Sequence, residues 1–107
     1  MEIRPEHDQT GTLKEAEQDF RARLARVGVT DAFEVEWKPD HATQPHTHEF
    51  RAFGLVKRGS FTLTTPSGAQ RIDAGGTFEL PPGIEHTETV NGVATTVLAA
   101  RLYPTQA

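Results

Sequence analysis

Pro45-His46-Thr47-His48-Glu49 is the stretch around which the chain is organised, because it sets two histidines one residue apart. Side chains of an extended segment alternate between two faces with a period of two, so His46 and His48 are expected to point to the same side. Neutral imidazole is the commonest nitrogen ligand for metals such as zinc, iron, nickel and copper. The pair therefore predicts part of a metal site that needs a further ligand from elsewhere in the chain.

The size and charge of the chain limit its architecture and its partners. A length of 107 residues is a common size for one domain and leaves no material for a second core. A hydrophobic fraction of 36% and a charged fraction of 24% are typical of a soluble folded protein with a small core. The net charge is −4 and the eleven basic residues are dispersed, so a nucleic-acid partner is not expected.

The chain has no cysteine, which excludes a disulfide framework, a thiolate metal site and a cysteine nucleophile. Any metal must therefore be bound by nitrogen and oxygen atoms. The first residues lack the apolar core of a signal peptide, and no run is long and apolar enough to span a membrane. We therefore expect a cytoplasmic protein with no membrane partner.

One helix is predicted, over residues 13–27. Thr12 and Glu15 have the spacing of a capping box, which places the start of the helix near Leu13. Gly28 offers the left-handed conformation that ends many helices. Between these signals apolar residues recur every three or four positions: Leu13, Ala16, Phe20, Leu24 and Val27.

The segments on either side of this helix have different patterns. Residues 1–11 mix charge with proline and glycine and have no apolar period, so we expect a flexible lead-in before a single domain over 12–107. After Gly28 the pattern alternates, and many short strands in one small domain predict a β-sandwich or a β-barrel over about residues 33–102. The predicted strands, separated by turn signals, are 33–38, 52–58, 61–65, 69–73, 77–80, 85–90 and 93–102.

Two of these strands carry further predictions. Asn91-Gly92 is the strongest short hairpin signal, so the last two strands are expected to pair with each other. In the strand 52–58, Phe53 and Leu55 share one face while Gly54 and Val56 share the other, so both faces are apolar or small. The helix can cover one region of the outer face, and a second subunit is expected to cover the rest in a homodimer.

A third histidine lies in a second motif. Gly75 is followed after five residues by the turn Pro81-Pro82-Gly83, and two further residues separate that turn from His86. This arrangement resembles the second motif of the cupin superfamily. The segment 46–48, with Gly59 eleven residues after its last histidine, resembles the first motif.

The resemblance covers about residues 33–102 and implies a fold and a site. The fold is an all-β double-stranded β-helix, or jelly-roll barrel, here with one N-terminal α-helix. In such barrels the two motifs lie on neighbouring strands and their side chains meet at a metal. The resemblance therefore implies His46, His48 and His86 as metal ligands.

The acidic residues near these motifs differ from the resembled pattern. A cupin's first motif usually has a glutamate four residues after its second histidine, and this position is Ala52 here. Glu49 has the opposite parity to the histidines, so a regular strand points it away. Glu88 lies two residues beyond His86, on the same face of a regular strand. We expect it to act as the catalytic acidic residue, as a fourth ligand, a general base or a partner that orients an imidazole.

Five other side chains are candidates for a role in the site. His41 and Gln44 lie in the loop that leads to it and are interpreted as surface residues. Trp37 and Phe78 are interpreted as core aromatics. Arg51 is interpreted as a surface residue in preference to a partner for a substrate carboxylate.

The function predicted from these residues is that of a small metal-binding cupin that acts on, or binds, a small molecule inside the barrel. The metal is expected to be a divalent transition ion: iron, zinc, nickel, manganese or copper. Dioxygenase, isomerase and lyase activities all occur in the resembled family, so the reaction stays open. One alternative is a non-catalytic sensor or ligand-binding module. Another is a metal-free barrel that binds a small apolar ligand.

Overall fold

The computed structural model describes residues 9–104 and contains one helix followed by seven strands. The predicted all-β fold with an N-terminal helix is confirmed, and every strand end lies within two residues of its predicted position. No helix of this part of the chain is both long enough and apolar enough to cross a membrane. The elements are α1 (Gln9–Arg26), β1 (Phe33–Trp37), β2 (Arg51–Arg58), β3 (Ser60–Thr65), β4 (Gly68–Asp73), β5 (Thr77–Leu80), β6 (Thr87–Val90) and β7 (Thr95–Leu102).

The strands form two sheets that enclose an apolar interior, as a jelly-roll barrel requires. One sheet has the order β1-β7-β2-β5 and the other has the order β4-β3-β6, with every neighbouring pair antiparallel. Alternate side chains of both sheets meet between them. The buried residues of this interior are Val56, Phe61, Leu63, Ile72, Val90 and Val97, with Trp37 and Phe78 packed against them. Trp37 and Phe78 are core aromatics, as interpreted from the sequence.

The opposite face of the four-stranded sheet is covered by α1. Phe53 and Leu55 of β2 are buried against the helix, while Val56 faces the barrel interior. Full burial of one such apolar side chain contributes roughly 1.5–3 kcal/mol. The other members of this helix-side cluster are Phe20, Leu24, Val29, Leu98 and Ala100. The helix thus covers Phe53 and Leu55 on the outer face of β2, and the homodimer stays a prediction.

The helix ends as predicted but begins earlier. Gly28 has φ of 83°, the N–H of Gly28 donates to the carbonyl of Ala25, and the N–H of Val29 donates to the carbonyl of Leu24. This pair of bonds is a Schellman motif, which satisfies carbonyls that the helix end leaves free. The predicted start near Leu13 is wrong, because Thr12 lies inside a helix that begins at Gln9. Residues 1–8 of the expected lead-in lie outside the described residues.

The predicted hairpin at Asn91-Gly92 is also wrong. β6 pairs with β3 in one sheet, whereas β7 pairs with β1 and β2 in the other. The dipeptide does form a turn, with φ of 88° at Gly92, but this turn carries the chain from one sheet to the other. Its anchor is Ser60, whose hydroxyl accepts a bond from the Asn91 side chain at 3.2 Å and whose carbonyl accepts one from the Thr95 hydroxyl at 3.1 Å. These tertiary bonds decide the pairing, which the local turn signal does not contain.

Candidate metal centre

His46 and His86 are brought together by backbone pairing. The segment that follows β1 runs beside β6, and these two histidines form an antiparallel bridge in which each backbone N–H donates to the other's carbonyl, at 3.0 and 3.1 Å. Directly opposed residues of an antiparallel pair project their side chains to the same face. The two imidazole centroids consequently lie 4.3 Å apart.

His48 joins the same group from two residues further along. Its carbonyl accepts a bond from the N–H of Gly83 at 3.0 Å, which ties it to the turn before His86. Its ring centroid is 4.9 Å from that of His46 and 5.0 Å from that of His86. One ring nitrogen from each histidine lies within 4.8 Å of the other two, so the three side chains predicted as ligands converge. We call this group the histidine cluster.

Two of the rings are held by backbone carbonyls in an orientation that suits a ligand. Nδ1 of His46 lies 2.7 Å from the carbonyl oxygen of Gln44, and Nδ1 of His86 lies 3.0 Å from that of Ile84. A carbonyl only accepts, so each Nδ1 carries the proton of the neutral ring. The lone pair is then on Nε2, the atom left for a metal. Gln44, interpreted as a surface residue, thus contributes through its backbone, which side-chain patterns do not report.

The environment of His48 favours its neutral form. His86 is only 2% exposed, while His46 and His48 are half-buried. Burial lowers the pKa of His48 from its ordinary value of 6.5, and the charges that His86 and His46 would carry act in the same direction. Glu88 opposes this shift and Arg101 adds to it. His48 is therefore neutral at physiological pH, the form in which imidazole binds metals.

Glu88 faces the barrel interior beside the cluster. It is paired with buried Leu63 of β3, so both side chains point inward, and Glu88 shares the face of His86 as expected. Its backbone N–H donates to the hydroxyl of Thr43 at 2.9 Å. Its carboxylate lies 3.8 Å from Nε2 of His86 and 3.7 Å from Nε2 of His41. Both distances exceed hydrogen-bond length, so the carboxylate is a near neighbour of the two rings without being bonded to either.

His41 is part of this environment and not the surface residue that the sequence indicated. Its ring stacks on Trp37 at 4.8 Å with an interplanar angle of 2°, and its Nε2 is buried without a hydrogen-bond partner within residues 9–104. The bridge of Ala42 to Thr89 draws this loop against β6. The only sequence signal for His41 was its place five residues before His46, which does not reveal that contact.

The remaining residues near the first motif lie where parity predicts. Ala52 shares the inward face of β2 with Val56, and Glu49 is exposed. Arg51 points to the helix side, where it pairs with Glu79 at 2.7 Å. Arg51 is therefore a surface residue, as interpreted from the sequence.

The mouth of the barrel next to His48 is lined by residues that the sequence did not single out. Phe50 stacks on His48 with a centroid distance of 4.5 Å and an interplanar angle of 15°. The guanidinium of Arg101 lies 4.8 Å from the ring centre of Phe50 and 5.3 Å from that of Phe33. These residues come from three different segments, so only the strand order β1-β7-β2 brings them together.

A groove of about 260 Å³ reaches His86 from the side of β3 and β6. It touches neither His46 nor His48. Its other lining residues are Pro45, Thr64, Thr65, Pro66, Glu85 and Thr87. The mouth at Phe50, and not this groove, is thus the part of the surface that adjoins His48.

Comparison with known proteins identifies the family. The model of the family described as "AraC-like ligand binding domain" matches residues 35–95. This range includes all three histidines of the cluster and most of the barrel. Among curated proteins, none matches the chain by sequence.

Solved structures with the same fold come from several bacteria. A conserved protein of unknown function from Streptococcus pyogenes aligns with a TM-score of 0.63 and 19% identity, over 68% of this chain and 63% of that one. An RmlC-like cupin from Shewanella frigidimarina aligns with a TM-score of 0.57 and 17% identity, over 65% and 63% of the two chains. The polyketide cyclase RemF from Streptomyces resistomycificus aligns with a TM-score of 0.54 and 26% identity, over 64% and 51%.

These alignments span less than two thirds of each of the three solved proteins. The first two identities are low, so those likenesses concern the fold, which is the jelly-roll barrel predicted for this chain. The family model covers more than half of the sequence and contains both histidine motifs. The chain therefore belongs to the AraC-like ligand binding domain family and is a member of the cupin superfamily.

Proposed function

We propose that this chain is a metal-binding cupin in which His46, His48 and His86 hold one divalent transition metal, and the metal holds a small oxygen-bearing molecule. The observation that carries this proposal is the convergence of three ring nitrogens within 4.8 Å. The donor set fits such an ion, because three neutral imidazoles without thiolate suit iron, zinc, nickel or copper. Three protein ligands also leave positions open for a substrate, as in catalytic sites.

His46, His48 and His86 would hold the metal, which would supply Lewis acidity or activation of water or dioxygen at the site. The protein residues have separate tasks. The carbonyls of Gln44 and Ile84 fix the rings of His46 and His86 so that Nε2 faces the site. Buried Leu63 is paired with Glu88 and adds an apolar side chain beside the carboxylate, where electrostatic interactions are stronger than in water.

Glu88 is the residue placed to move a proton. Its Oε2 lies 3.8 Å from Nε2 of His86, so a ligand held at the cluster is within reach of a carboxylate that can accept or donate a proton. If Glu88 instead orients His86, Glu88→Gln should keep full metal stoichiometry and weaken metal affinity by roughly 10–100-fold. Loss of stoichiometry in that variant would make Glu88 a fourth ligand.

Elemental analysis of the purified protein tests the metal site. The parent protein should hold about one metal ion per chain, whereas His48→Ala and His86→Ala should lose it. Glu49→Ala is the matched control, because Glu49 follows His48 directly but is exposed. A His86→Ala protein that retains the stoichiometry of the parent contradicts the three-histidine assignment.

Two findings bear on whether the bound molecule is transformed. RemF, at 26% identity, is a polyketide cyclase, which supports an enzymatic reaction as the first candidate. The matched family is described as a ligand binding domain, which supports a second candidate, binding without turnover. Oxygen uptake by the iron-loaded protein across a panel of substrates separates an oxygenase from a sensor: uptake above that of His86→Ala favours the oxygenase, and none favours the sensor.

The homodimer and the cytoplasmic location are further proposals. Large apolar side chains that stay exposed in the single chain include Val27 and Val93. Their exposure supports self-association, because exposed apolar area is a common mark of an interface.

A further inference from the structure

We infer that the barrel mouth binds a small carboxylic acid with an apolar body, whose carboxylate pairs with Arg101 next to the histidine cluster. This inference deepens the proposed function and rests on it only for the metal, because the arginine subsite is built from other residues. It names the class of ligand, which the description of the family does not specify.

The position of Arg101 on β7 supports this inference. Antiparallel pairing places Arg101 opposite Ala52, on the inward-facing row of β7 that also contains Val97. Directly opposed side chains of such a pair have Cβ atoms about 4.5–5.5 Å apart. Ala52 is also the position at which the resembled motif has its ligand glutamate. Arg101 thus faces the place where a carboxylate is missing from the protein, and a carboxylate of the ligand can take that place.

The guanidinium of Arg101 contacts aromatic rings and not an acidic side chain. The rings of Phe50 and Phe33 lie 4.8 and 5.3 Å from it, and it forms no ion pair within residues 9–104. Stacking on aromatic faces leaves the edge of a guanidinium, with its N–H donors, free to bind a carboxylate through two parallel bonds. Five other arginines already pair with carboxylates of the protein: Arg21, Arg23, Arg51, Arg58 and Arg71.

Phe50 links Arg101 to the histidine cluster. Phe50 contacts the guanidinium of Arg101, which lies 4.8 Å from its ring centre, and stacks on His48 with a centroid distance of 4.5 Å. One side chain thus connects Arg101 to the cluster, and a small molecule that lies across Phe50 can contact both.

The charge of the site and the exposed rings at its mouth indicate the kind of ligand that it binds. Three neutral imidazoles do not offset the charge of a divalent metal, and Glu88 is the carboxylate beside them, so metal and Arg101 together make an electropositive site. Phe33 is 39% exposed and Tyr103, whose ring lies 5.2 Å from that of Phe50, is 56% exposed. Exposed aromatic rings beside an arginine suit an anion that has a flat apolar body.

Calorimetric titration of the zinc-loaded protein with benzoate, benzamide and acetate tests the inference. Benzoate has both features, benzamide has the same shape without the charge, and acetate has the charge without the flat body. We expect benzoate to bind at least tenfold more tightly than either of the others. Equal affinities for benzoate and benzamide, or no benzoate binding, would overturn the inference.

Two variants assign the effect to Arg101. Arg101→Gln should weaken benzoate at least tenfold, leave benzamide unchanged and keep the metal stoichiometry of the parent, because it alters no histidine. Arg58→Gln is the matched control, since Arg58 pairs with Glu36 at 3.2 Å, away from the mouth, and should bind benzoate like the parent. Benzoate binding that is equal in Arg101→Gln and the parent refutes the arginine subsite.

Failure of this inference can be told apart from failure of the metal site. A parent protein that holds stoichiometric metal but does not bind benzoate keeps the proposed function and loses the inference. If the protein holds no metal, the same titrations are made on the metal-free protein. Weaker benzoate binding that still depends on Arg101 then supports the subsite, and its absence refutes it.

Discussion

Ala52→Glu is the substitution that probes the site most sharply, because it restores the carboxylate that the resembled motif has at this position. Ala52 faces the barrel interior and is paired with Arg101 on β7 and Leu80 on β5. A glutamate there lies opposite a guanidinium and beside the histidine cluster. We expect two effects: tighter metal binding, and loss of carboxylate ligands from the subsite at Arg101, since the new side chain occupies it.

The expected magnitudes follow from charge and linkage. In a barrel without Arg101 or metal, a buried unpaired carboxylate would cost several kcal/mol. With Arg101 as a partly exposed partner, the metal-free variant should differ from the parent by only about 1 kcal/mol. A tenfold gain in metal affinity corresponds to about 1.4 kcal/mol, which excess metal adds to the free energy of unfolding. For a domain of this size that gain raises Tm by roughly 5–10 °C.

Calorimetric melting with and without excess zinc measures this difference. Ala52→Gln is the matched control, because glutamine has the same size as glutamate without its charge and reports any steric cost. The gain in Tm upon adding zinc should be larger for Ala52→Glu than for Ala52→Gln and for the parent. Equal gains in all three proteins would refute the placement of residue 52 beside a metal.

Three further predictions concern pH, packing and assembly. Burial lowers the pKa of His48 in the folded protein, so stability should be full above about pH 6.5 and fall as the pH drops from there toward the lowered folded pKa; His48→Gln should flatten this dependence in metal-free melts. Gly54→Ala places a Cβ against the ring of Phe78 and should cost about 1–3 kcal/mol in urea unfolding, with recovery in Gly54→Ala/Phe78→Leu if that clash is the cause. Light scattering at micromolar concentration should show a dimer, and a monomer alone would refute the proposed assembly.

Most of the fold could be predicted because its strands carry a clear alternating pattern. In β2, Phe53 and Leu55 pack on the helix while Val56 packs in the barrel, which is the division that alternation predicts. The same alternation explains why Glu49 is exposed and Glu88 faces inward. Periodicity, in other words, determines which face a side chain occupies wherever a segment is extended.

The errors have one physical source, which is that local signals do not contain tertiary contacts. Asn91-Gly92 forms a turn, but the bonds of Asn91 and Thr95 to Ser60 direct the chain into the other sheet. His41 lies in a segment whose sequence predicts only a surface loop. The bridge between Ala42 and Thr89, which the sequence does not predict, draws that loop against β6. Arg101 was missed because its aromatic contacts come from β1 and from the segment before β2, which only the strand order makes adjacent.

X-ray absorption spectroscopy of the zinc-loaded protein tests the central claim most directly, because it counts the ligands around the ion. The histidine cluster predicts three imidazole nitrogens at about 2.0–2.1 Å, with multiple-scattering features of the rings, and a signal from fewer rings in His86→Ala. A parent spectrum with oxygen ligands and at most one imidazole, or an identical spectrum in His86→Ala, would contradict a metal held by His46, His48 and His86.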